Sequence, residues 1–172
     1  MDLRLERTKS YIYNAFFQLR KNKDVNEISV VELSKIAKIS KQTFYTHYRD
    51  IFELAEKIEE DFFNNLFKNL NIIDILKNNT IEGLKLIHSI LFDNLATIKV
   101  IYSKSRNYRF NECFYHYLKK QLANHSSLEL KKEILIIFYI YGGYYSYYLI
   151  NDYKKEKIVE ELFDILSKLK EL

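Results

Sequence analysis

An all-α fold is predicted by three features of this sequence. The 172 residues include no proline and only three glycines, so long helices face few breaks. Leucine, isoleucine, lysine, glutamate and asparagine dominate, and apolar residues recur at spacings of three and four along most of the chain. An apolar fraction of 48% is enough to build a core. The length suits one ordinary domain, or a small domain joined to a larger one.

The totals also exclude several classes. A single cysteine, Cys113, rules out an intramolecular disulfide and a thiolate metal cluster, and suits a reducing compartment. The opening residues MDLRLERTKS lack the apolar centre of a signal peptide, and no uninterrupted run reaches the length of a membrane span. A cytoplasmic protein is expected. The net charge of +4 is unevenly placed: residues 1–50 hold ten Lys and Arg against six Asp and Glu, while the remainder holds seventeen of each. That asymmetry suits a first segment that meets a polyanion.

The first helix runs from about Leu5 to Lys21, marked by Ile12, Ala15, Phe16 and Leu19 on one stripe. The polar link KNKDVNEI then leads to Ser29, an N-cap whose capping-box partner is Glu32. From Val30 a second helix buries Val30, Leu33 and Ala37, with Ile36 beside them. Ser40 is another N-cap, so the chain must turn between Ala37 and Ser40 and enter a short third helix. Phe44 and Tyr48, four apart, face the support. Gln42, Thr43, Tyr45 and Thr46 fall on the opposite side, where amide, hydroxyl and phenol groups suit an external partner. This is how a helix-turn-helix presents its recognition helix to the major groove, although an ordinary surface hairpin of helices has the same pattern.

The run ISVVELSKIAKISKQTFYTHYRDIFEL resembles the DNA-binding domain of the TetR family of bacterial transcriptional regulators. The likeness is closest at Thr43-Phe44-Tyr45 followed by His47-Tyr48, and extends from Arg7 to Phe63. It implies a three-helix helix-turn-helix DNA-binding domain at residues 1–50, followed by an α-helical regulatory and dimerisation domain at 51–172. A connecting helix would span about residues 50–70. The resemblance further implies a cytoplasmic, nucleoid-associated homodimer that binds a palindromic double-stranded DNA operator and is released by a small-molecule effector. Control by a protein partner through the C-terminal domain, without a small-molecule pocket, is the alternative.

The resemblance also assigns roles. Lys41, Gln42 and Thr43 face base edges or nearby phosphates, Tyr45 and His47 bond the phosphate backbone, and Ser29 meets phosphate at the start of the support helix. Thr8, Thr46 and Arg49 complete the set, with Arg7 and Lys9 beside Thr8. Hydroxyls and helix N-terminal N–H groups bind phosphate, and Gln and Lys read base edges, in keeping with these roles. Two positions depart from the family. Lys38 occupies a turn position where glycine is common, at a cost of about 1–2 kcal/mol if φ is positive there. Ile51 replaces a lysine that usually touches phosphate, with Arg49 as a possible substitute.

Asp50 and Glu53 cap a long helix that continues through Leu54, Ile58, Phe62 and Leu66. Asn71 to Asn79 is apolar but interrupted. Thr80 opens a helix bearing Leu84, Ile87, His88, Leu91, Leu95 and Ile98. The segment SKSRNYRF, with Arg106 and Arg109, joins two helices, either as a solvated loop or as a pocket for an acidic effector. Phe114, Tyr117, Leu118 and Leu122 mark the next helix. ILIIFYIYGGYYSYYLI, Ile134 to Ile150, is apolar or aromatic on nearly every side and is expected to be buried all round. It is too short and too rich in tyrosine for a membrane span.

Within this half, Tyr102, Tyr108, Phe114, Tyr139, Tyr145 and Tyr148 supply an aromatic lining for an effector, and core packing uses the same rings. Gly142 and Ser146 admit a close helix, while Ile158, Leu162, Ile165, Leu166 and Leu169 form one stripe. The family resemblance places the last two helices in a four-helix bundle across a two-fold axis, so Gly142, Ser146, Ile158, Leu162, Leu166 and Leu169 are the expected dimer interface. His88, His116 and His125 are isolated. With no His-x-x-x-His, Cys-x-x-Cys or carboxylate–histidine constellation, neither a metal site, a cofactor nor an enzyme is expected.

Overall fold

The computed structural model describes residues 3–123, 129–150 and 152–171, and these are helical, with no strand among them. The α-helices are α1 (Leu3–Arg20), α2 (Val30–Ala37), α3 (Lys41–Tyr45), α4 (Ile51–Leu66), α5 (Ile72–Asn78), α6 (Thr80–Asp93), α7 (Leu95–Ile101), α8 (Arg109–Ala123), α9 (Leu130–Ile137), α10 (Tyr144–Leu149) and α11 (Lys155–Glu171). Two compact units result: Met1–Phe62 with Leu95–Arg109, and Phe63–Asn94 with Phe110–Leu172.

In the first unit α1 packs on α2 and α7, burying Ile12, Ala15, Phe16 and Leu19. Leu33 and Ala37 of α2, Phe44 of α3 and Leu54, Ala55 and Ile58 of α4 are buried with them. Ile51 is buried too, at 5% exposure, so its apolar side chain is core. Ser29 caps α2 by accepting the Glu32 N–H at 3.2 Å. The expected capping box is only half made, because the Glu32 carboxylate takes the Lys23 ammonium at 2.7 Å instead. A complete box forms one turn earlier, between Asp24 and Glu27, around a 3₁₀ turn at Val25–Glu27. The stretch Leu95–Arg109 contributes α7, a second 3₁₀ turn at Lys104–Arg106, and the buried Ile98, Ile101 and Tyr102.

The interrupted apolar stretch Asn71–Asn79 holds α5, with Asn71 and Asn79 as its caps. Two sequence expectations give way in the second unit and at its edge. The helix opened at Thr80 stops at Asp93, where the Asn94 amide donates to the Ile90 carbonyl at 2.9 Å and competes with helix continuation. Leu95 and Ile98 therefore lie on a separate helix, α7. The stretch Ile134–Ile150 is not buried all round: Leu135, Ile136, Tyr139 and Ile140 are, but Ile134, Phe138, Tyr141, Tyr145, Leu149 and Ile150 are exposed. Between α9 and α10 the backbone widens into a π-helical turn at Phe138–Gly143.

The centre of this unit is aromatic. Phe63 stacks on Phe114 at 5.2 Å between ring centroids, and Phe67 stacks on Tyr117 at 5.5 Å. A second cluster joins His88, Tyr139 and Phe163, with the His88 Nδ1 3.1 Å from the Tyr139 hydroxyl. Among the described residues no helix is long and apolar enough to cross a membrane.

Candidate nucleic-acid interface

The sequence from Ser29 to Tyr48 builds a small rigid device from local signals. After Ala37 the chain reverses through Lys38, whose φ of 55° and ψ of 42° are left-handed. The Ile39 N–H then reaches back to the Ser34 carbonyl at 3.0 Å, closing the end of α2. Ser40 restarts the helix by accepting the Thr43 N–H at 3.0 Å. α3 is held from below by Phe44, which is fully buried, and by Tyr48, whose ring lies 5.8 Å away.

A polar cluster fixes the helices around it. Asp61 of α4 accepts the Tyr13 hydroxyl and the Lys9 ammonium of α1, each at 2.7 Å, while Lys57 lies 3.3 Å from its other oxygen. Burial raises the Asp61 pKa, but the hydrogen bonds from Lys9 and Tyr13 outweigh it, and the carboxyl stays below its usual range. Burial, then the bond to Asp61, pushes the Tyr13 phenol up, and burial does the same to the adjacent Tyr48. These groups keep fixed charge states near neutral pH, so α1 and α4 remain joined beside Tyr48.

On the outward side Lys41, Gln42, Tyr45 and Thr46 are exposed, and Thr43 and His47 are half-buried. Ser29 is exposed at the start of α2, and Thr8 is half-buried on α1. Thr43 has a structural duty as well, since its hydroxyl lies 2.8 Å from that of Ser40 and its carbonyl accepts the Thr46 hydroxyl at 2.7 Å. Lys35, Lys38 and Lys41, spaced by three, are all exposed around the turn. In the sequence Lys38 stands out only as an awkward turn residue; its spacing of three from Lys35 and from Lys41 is the signal that groups the lysines.

Several basic residues of this unit are committed elsewhere. Lys9 is held by Asp61, Lys23 by Glu32, and Arg49 by Glu53 at 3.1 Å. Arg20 is buried at 2% exposure. The exposed basic residues outside these pairs include Lys35, Lys38 and Lys41 around the turn, and Arg7 and Lys21 on and just after α1.

The C-terminal candidates are scattered. Tyr102 is buried in the first unit and donates its hydroxyl to the Glu59 carbonyl at 3.3 Å, and Tyr108 of the same unit is exposed. Phe114 and Tyr139 are buried in the second unit, Tyr145 is exposed there, and the Tyr148 side chain lies outside the described residues, as does His125. The SKSRNYRF arginines form neither a solvated loop nor an open pocket: Arg106 and Arg109 both bind the buried Glu59. Ile158 and Leu166 are buried, and Ser146, Leu162 and Leu169 are half-buried. Ile165, by contrast, is 54% exposed and off the buried stripe. Gly142 is exposed with open space around it, and the close approach is made by its neighbour Gly143. Among the described residues no group of His, Cys, Asp or Glu is arranged to hold a metal ion.

Comparison of the chain with protein-family models and with curated proteins gives no match.

Proposed function

We propose that this chain is a DNA-binding transcriptional regulator of the TetR type, acting as a homodimeric repressor on a palindromic operator. The observation that carries the reading is the Ser40-capped helix α3. Its inner side is anchored by Phe44 and Tyr48, and its outer side offers Lys41, Gln42, Tyr45 and Thr46. Gln reads adenine edges and Lys reads guanine edges, while hydroxyl and phenol groups bond phosphate. The exposed Lys35, Lys38 and Lys41 add the sequence-independent attraction that DNA binding needs.

A dimer is part of the proposal because two recognition helices must enter major grooves about 34 Å apart. The exposed apolar face of Ile134, Phe138, Tyr141 and Tyr145 supports a second copy as its occupant. Release by a small molecule is the regulation that the family resemblance implies. Selection of bound duplexes from a random pool tests the reading: a palindromic consensus is expected, and enrichment of no sequence would remove it.

A further inference from the structure

α3 and its C-terminal cap carry hydroxyl groups at Thr43, Tyr45 and Thr46, and both threonines turn theirs back into the protein. The Thr46 hydroxyl donates to the Thr43 carbonyl at 2.7 Å, so its one proton is spent within the helix. The Thr43 oxygen lies 2.8 Å from that of Ser40, which also accepts the Thr43 N–H at 3.0 Å. Whichever of the two hydroxyls donates, both are engaged at the cap. Thr46 is nevertheless exposed and Thr43 half-buried, so each residue still meets solvent. A threonine carries only a hydroxyl and a methyl on Cβ, and with the hydroxyl turned inward the methyl is the group it has left for a partner.

In the major groove one base feature calls for a methyl rather than a hydrogen bond. The thymine C5-methyl stands beside the O4 acceptor, and apolar contact with it tells thymine from cytosine. Thr43 and Thr46 are three residues apart, about 4.5 Å along the helix axis, close to the rise of about 3.4 Å per base pair. Their methyls are therefore spaced to meet neighbouring pairs. Gln42, exposed next to Thr43, has the amide that reads adenine, and every adenine in a duplex brings a thymine methyl opposite it. Amide and methyls thus favour the same A·T pairs. Phosphate is left to Tyr45 and to Lys35, Lys38 and Lys41, all exposed.

We propose that α3 reads the 5-methyl group of thymine through the methyls of Thr43 and Thr46, rather than hydrogen-bonding DNA with their hydroxyls. The proposal rests on the DNA-binding reading above. The test uses the full chain and the duplex it selects from a random pool, remade with each thymine in turn replaced by uracil, which lacks only the 5-methyl. At fixed salt the wild type is expected to lose about fourfold in affinity at one or two thymines of each half-site, the worth of one buried methylene-sized group. Thr43→Ser and Thr46→Ser keep both hydroxyl contacts and remove only the methyl, so each should make one of those thymines insensitive to the replacement. Thr46→Val keeps the methyl and loses the hydroxyl, and should remain as sensitive as the wild type. A selected duplex that tolerates uracil at every thymine overturns the proposal, as does sensitivity that survives in both serine variants. Loss of sensitivity in Thr46→Val would assign the contact at that position to the hydroxyl and overturn it there. A wild type that selects no sequence removes the DNA-binding reading itself, a different and separable failure.

Discussion

A Cβ placed on Gly143 would stand 2.9 Å from Leu162 Cδ2, whereas one placed on Gly142 meets nothing within 4 Å. Both glycines have helical surroundings in the π turn and its exit. Gly142→Ala is therefore expected to stabilise the chain by about 0.5–1 kcal/mol, by removing freedom from the unfolded state. Gly143→Ala forfeits that gain because Leu162 must shift. Urea unfolding separates the two, and equal midpoints would show that Leu162 yields freely. If the exposed face carries the proposed dimer, Gly142→Lys should also lower the sedimentation mass at micromolar concentration.

Lys38 is the residue on which the α2–α3 turn depends, and its left-handed backbone costs a lysine about 1–2 kcal/mol. Lys38→Gly should relieve most of that and raise the urea midpoint. The same change removes an exposed positive charge beside α3, so DNA affinity should fall while stability rises. The opposing signs identify Lys38 as a compromise between turn chemistry and phosphate attraction; a variant that gains in both would refute it.

Readout and support on α3 should separate by mutation. Gln42→Ala removes an exposed amide and should cost about 1–3 kcal/mol of base discrimination with unchanged thermal unfolding, whereas Tyr45→Ala removes a phosphate contact and should weaken binding to every sequence alike. Phe44→Ala empties a fully buried site and should cost about 3–5 kcal/mol of stability. Thr43→Ala is a poorer probe, because the Ser40–Thr43 contact ties it to the helix cap. Full specific binding by the Gln42 and Tyr45 variants would reject α3 as the reading helix.

The device from Ser29 to Tyr48 was legible because its causes are local: two serine caps, a turn residue, and Phe44 and Tyr48 one turn apart. Glu59 and Arg106 were not legible, since they stand 47 residues apart and only the tertiary fold makes either one buried. On α4 the expected stripe of Phe62 and Leu66 proved half-buried, and Phe63 and Phe67, one position along, fill the core. An apolar run with hydrophobes on adjacent positions leaves the buried face to its partners. The π turn was invisible for the same reason, because apolar residues on every side of Phe138–Gly143 erase the periodicity that would register the widening.

Burial holds the His88 imidazole below its usual pKa, with Nδ1 beside the Tyr139 hydroxyl. The folded state thus binds the proton less readily than the unfolded state. The stability contribution is complete above the unfolded value of about 6.5 and falls as pH drops through the folded value. His88→Phe should flatten the stability profile below about pH 6.5, and thermal melts from neutral to mildly acidic pH would measure this. An unaltered profile would place the acid sensitivity elsewhere, with Asp24 and Asp61, whose depressed pKa values put their loss of stability at lower pH.

The start of α4 carries acid where a helix facing phosphate gains from base. Asp50 accepts the Glu53 N–H at 2.8 Å, and the Glu53 carboxylate binds both the backbone N–H and the guanidinium of Arg49. Arg49 is 81% exposed, yet its charge is directed at Glu53. Glu53→Gln removes one negative charge and frees that guanidinium for phosphate. If this end of α4 approaches DNA, affinity at low salt should rise, and the slope of log affinity against log salt should steepen by about one. Ile51→Lys, suggested by the family pattern alone, is the wrong test because Ile51 is core and its replacement would unfold the unit. Phe52→Lys puts the new charge on the neighbouring position, which is 48% exposed, and should act in the same direction as Glu53→Gln. Salt slopes unchanged in both variants would mean that Arg49 and the start of α4 lie away from the duplex, leaving the contact to α2, the Lys38 turn and α3.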